Sequence, residues 1–291
     1  MTTMTEPTTH TLEAPGVTLT YDIRRTDSAA PPLVLIGSPM GAGGFGTLAS
    51  HFTDRTVVTY DPRGVDRSTK DDPASESTPD QHADDLHRII DEVGGGPVEL
   101  FASSGGAVNA LALVAAHPEQ VRTLVAHEPP LASILPDREG AMASTQAIAD
   151  TYQRSGFGTA MAQFILAVSH KGPMTPEFAA QPAPDPAMFG LPAADDGTRT
   201  DPLLFQNITT CTHYEPDFDA LRAAPTRIVL AAGAESDGEM AHRGAEAVAT
   251  RLDTELAIFP SGHGGFLGGE YGQSGEPDAF AAKLREVLAE A

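Results

Sequence analysis

Cysteine is almost missing from the 291-residue sequence: Cys211 stands alone, which excludes an intramolecular disulfide and fits a reducing compartment. Positive charge is scarce as well. Lys and Arg number 18 against 40 Asp and Glu, a formal net charge of −22 at pH 7, and that excess argues against nucleic acid or an anionic membrane as partner. No apolar run approaches the ~18 residues of a membrane-spanning helix. The opening MTTMTEPTTHT has neither the basic start nor the apolar core of a signal peptide, and residues 1–11 read as a polar, disordered tail. The absences together describe an acidic, cytoplasmic protein.

What is present is enough for a large core. Apolar residues make up 41% of the chain, which at this length is the upper end for one domain. Gly (28) and Pro (24) follow no period and indicate many tight turns.

Buried-strand patterns alternate with helical ones. Val17 to Arg24 alternates like an antiparallel edge strand, and Leu33 to Ile36 and Arg55 to Tyr60 read as strands buried on both faces. After a polar loop at 69–78, Pro79 to Val93 carries Leu86, Ile89, Ile90 and Val93 at helical spacing and stops at Gly94-Gly95-Gly96. Strands follow at Val98 to Phe101, Val121 to Ala126, Arg227 to Ala232 and Leu256 to Phe259, with helices at Ala107 to His117, Glu239 to Arg251 and Pro277 to Glu290. Alternation of this kind means an α/β fold with a mostly parallel, doubly wound sheet, and binding groups gather at the carboxyl ends of its strands. From Leu131 to Arg222 the strand pattern stops; two helical segments, Arg138 to Arg154 and Gly158 to His170, precede a Pro-rich passage. The predicted division is a core of 12–130 and 223–291 with a helical insertion at 131–222.

The chemistry gathers at Ala102-Ser103-Ser104-Gly105-Gly106, a turn of tiny residues between a strand and a helix. A nucleophile elbow has this shape: the serine sits on a strained turn and needs small residues two before and two after it. Ser104 has Ala102 and Gly106 as flanks; Ser103 would have Phe101, which would clash. Taken alone, the stretch reads equally well as a serine N-cap on a buried helix.

Four motifs in order make the chain similar to the α/β-hydrolase family: Gly37-Ser38-Pro39 after the third strand, YDPRGVDRS after the fourth, ASSGG at the elbow, and GHGGF near the end. Asp66 stands where the family's D-x-R-G-x-G-x-S loop commonly has a glycine. The resemblance implies an α/β-hydrolase fold with a helical cap, and a Ser-acid-His triad needing no cofactor and no metal. Ser104 takes the nucleophile's place and His263, between glycines, the general base's; His127 is a weaker rival. Gly105 N–H and a second N–H from Ser38, or alternatively Met40, make the oxyanion hole.

The acid departs from the pattern. Its usual place, three residues past Gly233, is occupied by Ser236. The candidates are Glu128, in His-Glu-Pro-Pro after the strand that follows the nucleophile helix, and Asp237 as the alternative. Arg63 reads as structural rather than as an anion clamp, and Cys211 as a buried small residue. Phe157, Met161, Phe164, Met174, Met188 and Phe189 are candidate pocket walls.

The implied activity is hydrolysis of an ester, lactone or thioester of a small to medium apolar molecule. Alternatives are C–C bond hydrolysis, cofactor-free perhydrolysis or haloperoxidation by the same triad, and non-catalytic ligand binding on a hydrolase fold. The expected partner is a small-molecule substrate; the sequence assigns no oligomeric state.

Overall fold

The computed structural model describes residues 6–94 and 96–290. Among these, nine strands form one sheet: β1 (Thr8–Ala14), β2 (Val17–Arg24), β3 (Leu33–Ile36), β4 (Val57–Asp61), β5 (Thr69–Lys70), β6 (Val98–Ser103), β7 (Val121–His127), β8 (Arg227–Gly233) and β9 (Leu256–Phe259). Their order is β1-β2-β4-β3-β6-β7-β8-β9, with β5 bonded to β2. The pairings of β1, β4 and β5 with β2 are antiparallel, and from β4 across to β9 every pairing is parallel.

Helices cover both faces: α1 (Gly46–Ser50), α2 (Pro79–Val93), α3 (Gly105–Ala116), α4 (Arg138–Val168), α5 (Pro176–Ala179), α6 (Ile208–Thr212), α7 (Phe218–Ala223), α8 (Met240–Leu252) and α9 (Pro277–Ala289). The strand period of two divides the core. Val34 and Ile36 of β3 join a cluster with Leu86 of α2, Leu111 of α3 and Val248 of α8, whereas Leu33 and Leu35 join Leu48 of α1 and Leu284 of α9. Helix α2 shows why such segments start and stop where they do. Thr78 and Gln81 form a reciprocal capping box, Pro79 occupies the first turn, and Gly94 closes the helix at φ +76°.

Two expectations are corrected at the N-terminal side. Residues 8–11, placed in a disordered tail, belong to β1; residues 1–5 lie outside the described residues. β1 turns into β2 through Pro15-Gly16, with Ala14 opposite Val17 and Gly16 at φ +74°. β-branched threonines suit such a ladder better than their polarity suggests. β2 is therefore not an edge strand, since β1 and β4 flank it, and Thr69–Lys70 of the predicted loop pairs with its first residues.

Residues 131–222 add no strand to the sheet. The two predicted helical segments are one assigned helix, α4, broken at Gly156 (φ +79°, ψ −172°), where a Cβ would lie 2.3 Å from Asp195 Oδ1. One turn of π-helix, Pro202–Asn207, docks this segment on the core. Buried Gln206 Oε1 accepts from Lys70 Nζ (3.2 Å) and Ser77 Oγ (3.3 Å), and Asn207 Oδ1 lies 3.1 Å from His82 Nε2. Elsewhere Arg243 of α8 pairs with Asp137, whose carboxylate also accepts from Met174 N–H. Met174 is thereby a core residue of the segment rather than a free pocket wall, while Met188 and Phe189 are exposed.

Candidate active site

Register brings the strand ends together. Ile36 lies opposite Ala102, Ser103 opposite His127, His127 opposite Ala231, and Gly233 opposite Phe259. The residues that follow β3, β6, β7, β8 and β9 therefore emerge along one edge, as parallel strands require.

Ser104 caps α3 at φ +57°, ψ −130°, and its side chain makes no capping hydrogen bond. That excludes the ordinary N-cap alternative. Its N–H donates to the His127 carbonyl (2.9 Å), which ties the elbow to β7. The requirement for small flanks is visible: Ala102 is fully buried, and a Cβ on Gly106 would lie 2.8 Å from Gly37 Cα. A Cβ on Gly105 would lie 2.6 Å from Ser38 O, so the loop after β3 rests on the elbow. Ser38 is buried there, and Met40 packs its side chain against Gly44 and the second core cluster.

Glu128 follows β7 at φ +50° with a fully buried side chain. One carboxylate oxygen, Oε2, accepts from Nδ1 of His263; the other, Oε1, accepts from Gly233 N–H (2.8 Å) and from the Ser236 hydroxyl. Burial works against the ionised form, but the hydrogen bond from His263 and the nearby imidazoles outweigh it and hold the Glu128 carboxyl down to about 2. Burial likewise works against the His263 imidazolium, yet the hydrogen bond and charge of Glu128 raise its pKa above the ordinary value. With Nδ1 committed to Glu128, Nε2 is left free to accept a proton. The His263 side chain is 42% exposed, so part of the ring reaches solvent. The Ser104 hydroxyl makes no direct hydrogen bond to His263 among the described residues.

Of the two candidate acids, only Glu128 meets His263. Asp237 is 84% exposed and faces His242 at 4.0 Å instead. Ser236, in the customary acid position, has become a donor to the displaced carboxylate, a role a lone serine in a loop does not advertise. Glu239, which sequence patterns did not single out, lies on the same loop; burial and the charge of Glu128 push its carboxyl above the ordinary range.

The remaining candidates fall away. His127 is fully buried among Phe101, Phe259 and Phe280, and burial lowers its pKa to about 4. Arg63 is spent on a buried bidentate pair with Asp85 (2.6 and 2.8 Å). Asp61 accepts from Ala42 N–H and pairs with Arg67, bracing the loop that rests on the elbow. Cys211 is buried beneath Gly105, where burial pushes its thiol up to about 12, far from a thiolate nucleophile.

Comparisons with known proteins bear on the fold and the family. The sequence matches the family described as alpha/beta hydrolase fold over residues 31–269. It is 30% identical over 272 residues to the uncharacterized hydrolase YraK of Bacillus subtilis (strain 168), covering 88% of this chain and 89% of that one. Among solved structures, a thermophilic esterase from Thermogutta terrifontis superposes with a TM-score of 0.67 at 19% identity, covering 98% of this chain and 99% of its own. A proline iminopeptidase from Mycobacterium smegmatis gives 0.63 at 18% identity, with 97% and 98% covered. At such identities the structural likeness speaks for the fold alone. With the family matched across most of its length, this chain belongs to the α/β-hydrolase fold family and is a hydrolase of that fold.

Proposed function

We propose that the protein is a serine hydrolase acting on a carboxylic ester, lactone or thioester of a small to medium apolar molecule. The observation that carries this reading is the Glu128–His263 hydrogen bond beside a serine held at positive φ. Non-glycine residues at positive φ are costly, and Ser104, Glu128 and Ser261 all have one. A binding protein would have no reason to keep that strain next to a buried, fully bonded carboxylate.

Ser104 Oγ attacks the acyl carbon while His263 Nε2 takes its proton. Glu128 fixes the imidazole tautomer and stabilises the imidazolium; Gly233 N–H and Ser236 keep the carboxylate charged and aimed. The oxyanion is held by the N–H of Gly105, at the start of α3, and that of Ser38, with Met40 as the alternative donor. His263 then protonates the leaving group and activates water for deacylation. Residues 131–222 act as a cap, with Phe157, Met161 and Phe164 half-buried on its helix α4.

A fluorophosphonate probe on the purified protein tests this, with the adduct located by mass spectrometry. Labelling at Ser104 is expected, lost in Ser104→Ala and in His263→Ala, with ester turnover falling ~10⁴- to 10⁶-fold in each. A folded wild type that no such probe labels would overturn the reading. Assays with a β-diketone and with peroxide plus a carboxylic acid separate ester hydrolysis from its C–C and perhydrolytic alternatives.

A further inference from the structure

The second oxygen of Glu128 faces another imidazole. His242, in the first turn of α8, is only 4% exposed, and its Nδ1 lies 3.9 Å from Glu128 Oε1 and 3.2 Å from the Gly233 carbonyl. A carbonyl can only accept, so Nδ1 carries the hydrogen and Nε2 is left with a lone pair. Nε2 makes no hydrogen bond. It is aimed outward at two carboxylates, Glu246 Oε1 at 3.8 Å and Asp237 Oδ1 at 4.0 Å. The three ligand atoms all lie within 4.8 Å of one another. Three acceptors thus converge, and among the described residues neither carboxylate is paired with a lysine or arginine.

We propose that Asp237, His242 and Glu246 form a binding site for a divalent transition cation of the zinc class. The donor set, one imidazole nitrogen and two carboxylate oxygens, suits such an ion and leaves a coordination position for water. Tetrahedral coordination at bond lengths of about 2.1 Å needs ligand atoms about 3.4 Å apart. The distances of 3.8 and 4.0 Å from Nε2 stand within about 0.6 Å of that spacing and the two carboxylates within 4.8 Å of each other, and the carboxylates are free to move inward because their side chains are 84% and 53% exposed. His242 and Glu246 are four residues apart on α8 and so share a face, while Asp237 reaches in from the loop before the helix. The Nδ1–H bond to the Gly233 carbonyl is the outer-layer contact by which metal-ligating histidines fix their ring.

The test uses full-length protein without tag histidines, stripped with EDTA and titrated with Zn²⁺ by calorimetry, with thermal melts in parallel. One Zn²⁺ per chain is expected, bound about 10-fold or more weakly in Glu246→Gln and in His242→Gln. The melting temperature should rise with Zn²⁺ in the wild type and fail to rise in both variants. Glu246 is exposed on a helix surface, so its variant folds and keeps the comparison decisive. Zn²⁺ affinity unchanged in Glu246→Gln, or no saturable binding to the folded wild type, overturns the proposal.

Discussion

The carboxyl edge of the sheet and the inserted residues 131–222 are positioned by different means. At the edge, backbone does the work: Ser104 N–H is bonded to the His127 carbonyl, Glu128 N–H to Ala231, and Glu235 N–H to Ser261. In the insertion most of the anchors are side chains, Gln206, Asn207, Thr210, Tyr214 and the Asp137–Arg243 pair, beside main-chain bonds from Ser77 N–H to Gln206 and from Gly172 N–H to Gly238. Main-chain anchors are indifferent to most substitutions, whereas side-chain anchors change with sequence. A triad can therefore keep its geometry while the surface above it is rebuilt, which is how one fold hosts many substrates.

The comparison breaks most sharply at Glu128. Glu128→Gln is expected to lower kcat/KM about 10³- to 10⁴-fold, whereas Asp237→Asn should leave it within about 2-fold. The pH profile sharpens this. Because Glu128 raises the His263 pKa, wild-type activity should climb with pH through an apparent value above the histidine reference of 6.5. Removing the carboxylate removes that support, so the residual activity of Glu128→Gln should show its acid limb at lower pH.

In the insertion the large effect should be on stability. Gln206→Leu leaves Lys70, Ser77 and the Thr200 carbonyl without their buried partner and should cost about 1–3 kcal/mol in denaturant unfolding, with kcat changed less than about 3-fold. Gly156→Ala must place a Cβ at positive φ and against Asp195, a cost of about 1–2 kcal/mol, read as a lower melting temperature. Phe189→Ala, at an exposed position, should shift stability by no more than about 0.5 kcal/mol. A stability loss in Phe189→Ala as large as that in Gln206→Leu would erase the distinction between the docked and free parts of the segment.

Much of the core was legible because its signals are short-range. Helix α2 runs over the predicted Pro79–Val93, and the last strand over Leu256–Phe259, since a proline start, a glycine stop and an apolar run each act within a few residues. β1 was missed for the opposite reason: its threonines carry no apolar pattern, and only a partner strand makes a ladder of them. The break in α4 was legible, but the side chain that leaves no room for a Cβ at Gly156, Asp195, comes from 39 residues further along the chain.

The sequence by itself determined the order of the core strands β2 to β4 and β6 to β9, the elbow serine, the glycine-flanked histidine and the family, all of which are written in neighbouring residues. It reduced the acid to Glu128 or Asp237 and could go no further. The proposal of Glu128 rests on the register of β7 against β8, which sets Glu128 beneath Gly233 N–H, Ser236 and His263 and leaves Asp237 outside with His242 and Glu246. A carboxylate becomes a triad acid by being buried, bonded and rigid, and those are properties of packing between segments more than 100 residues apart.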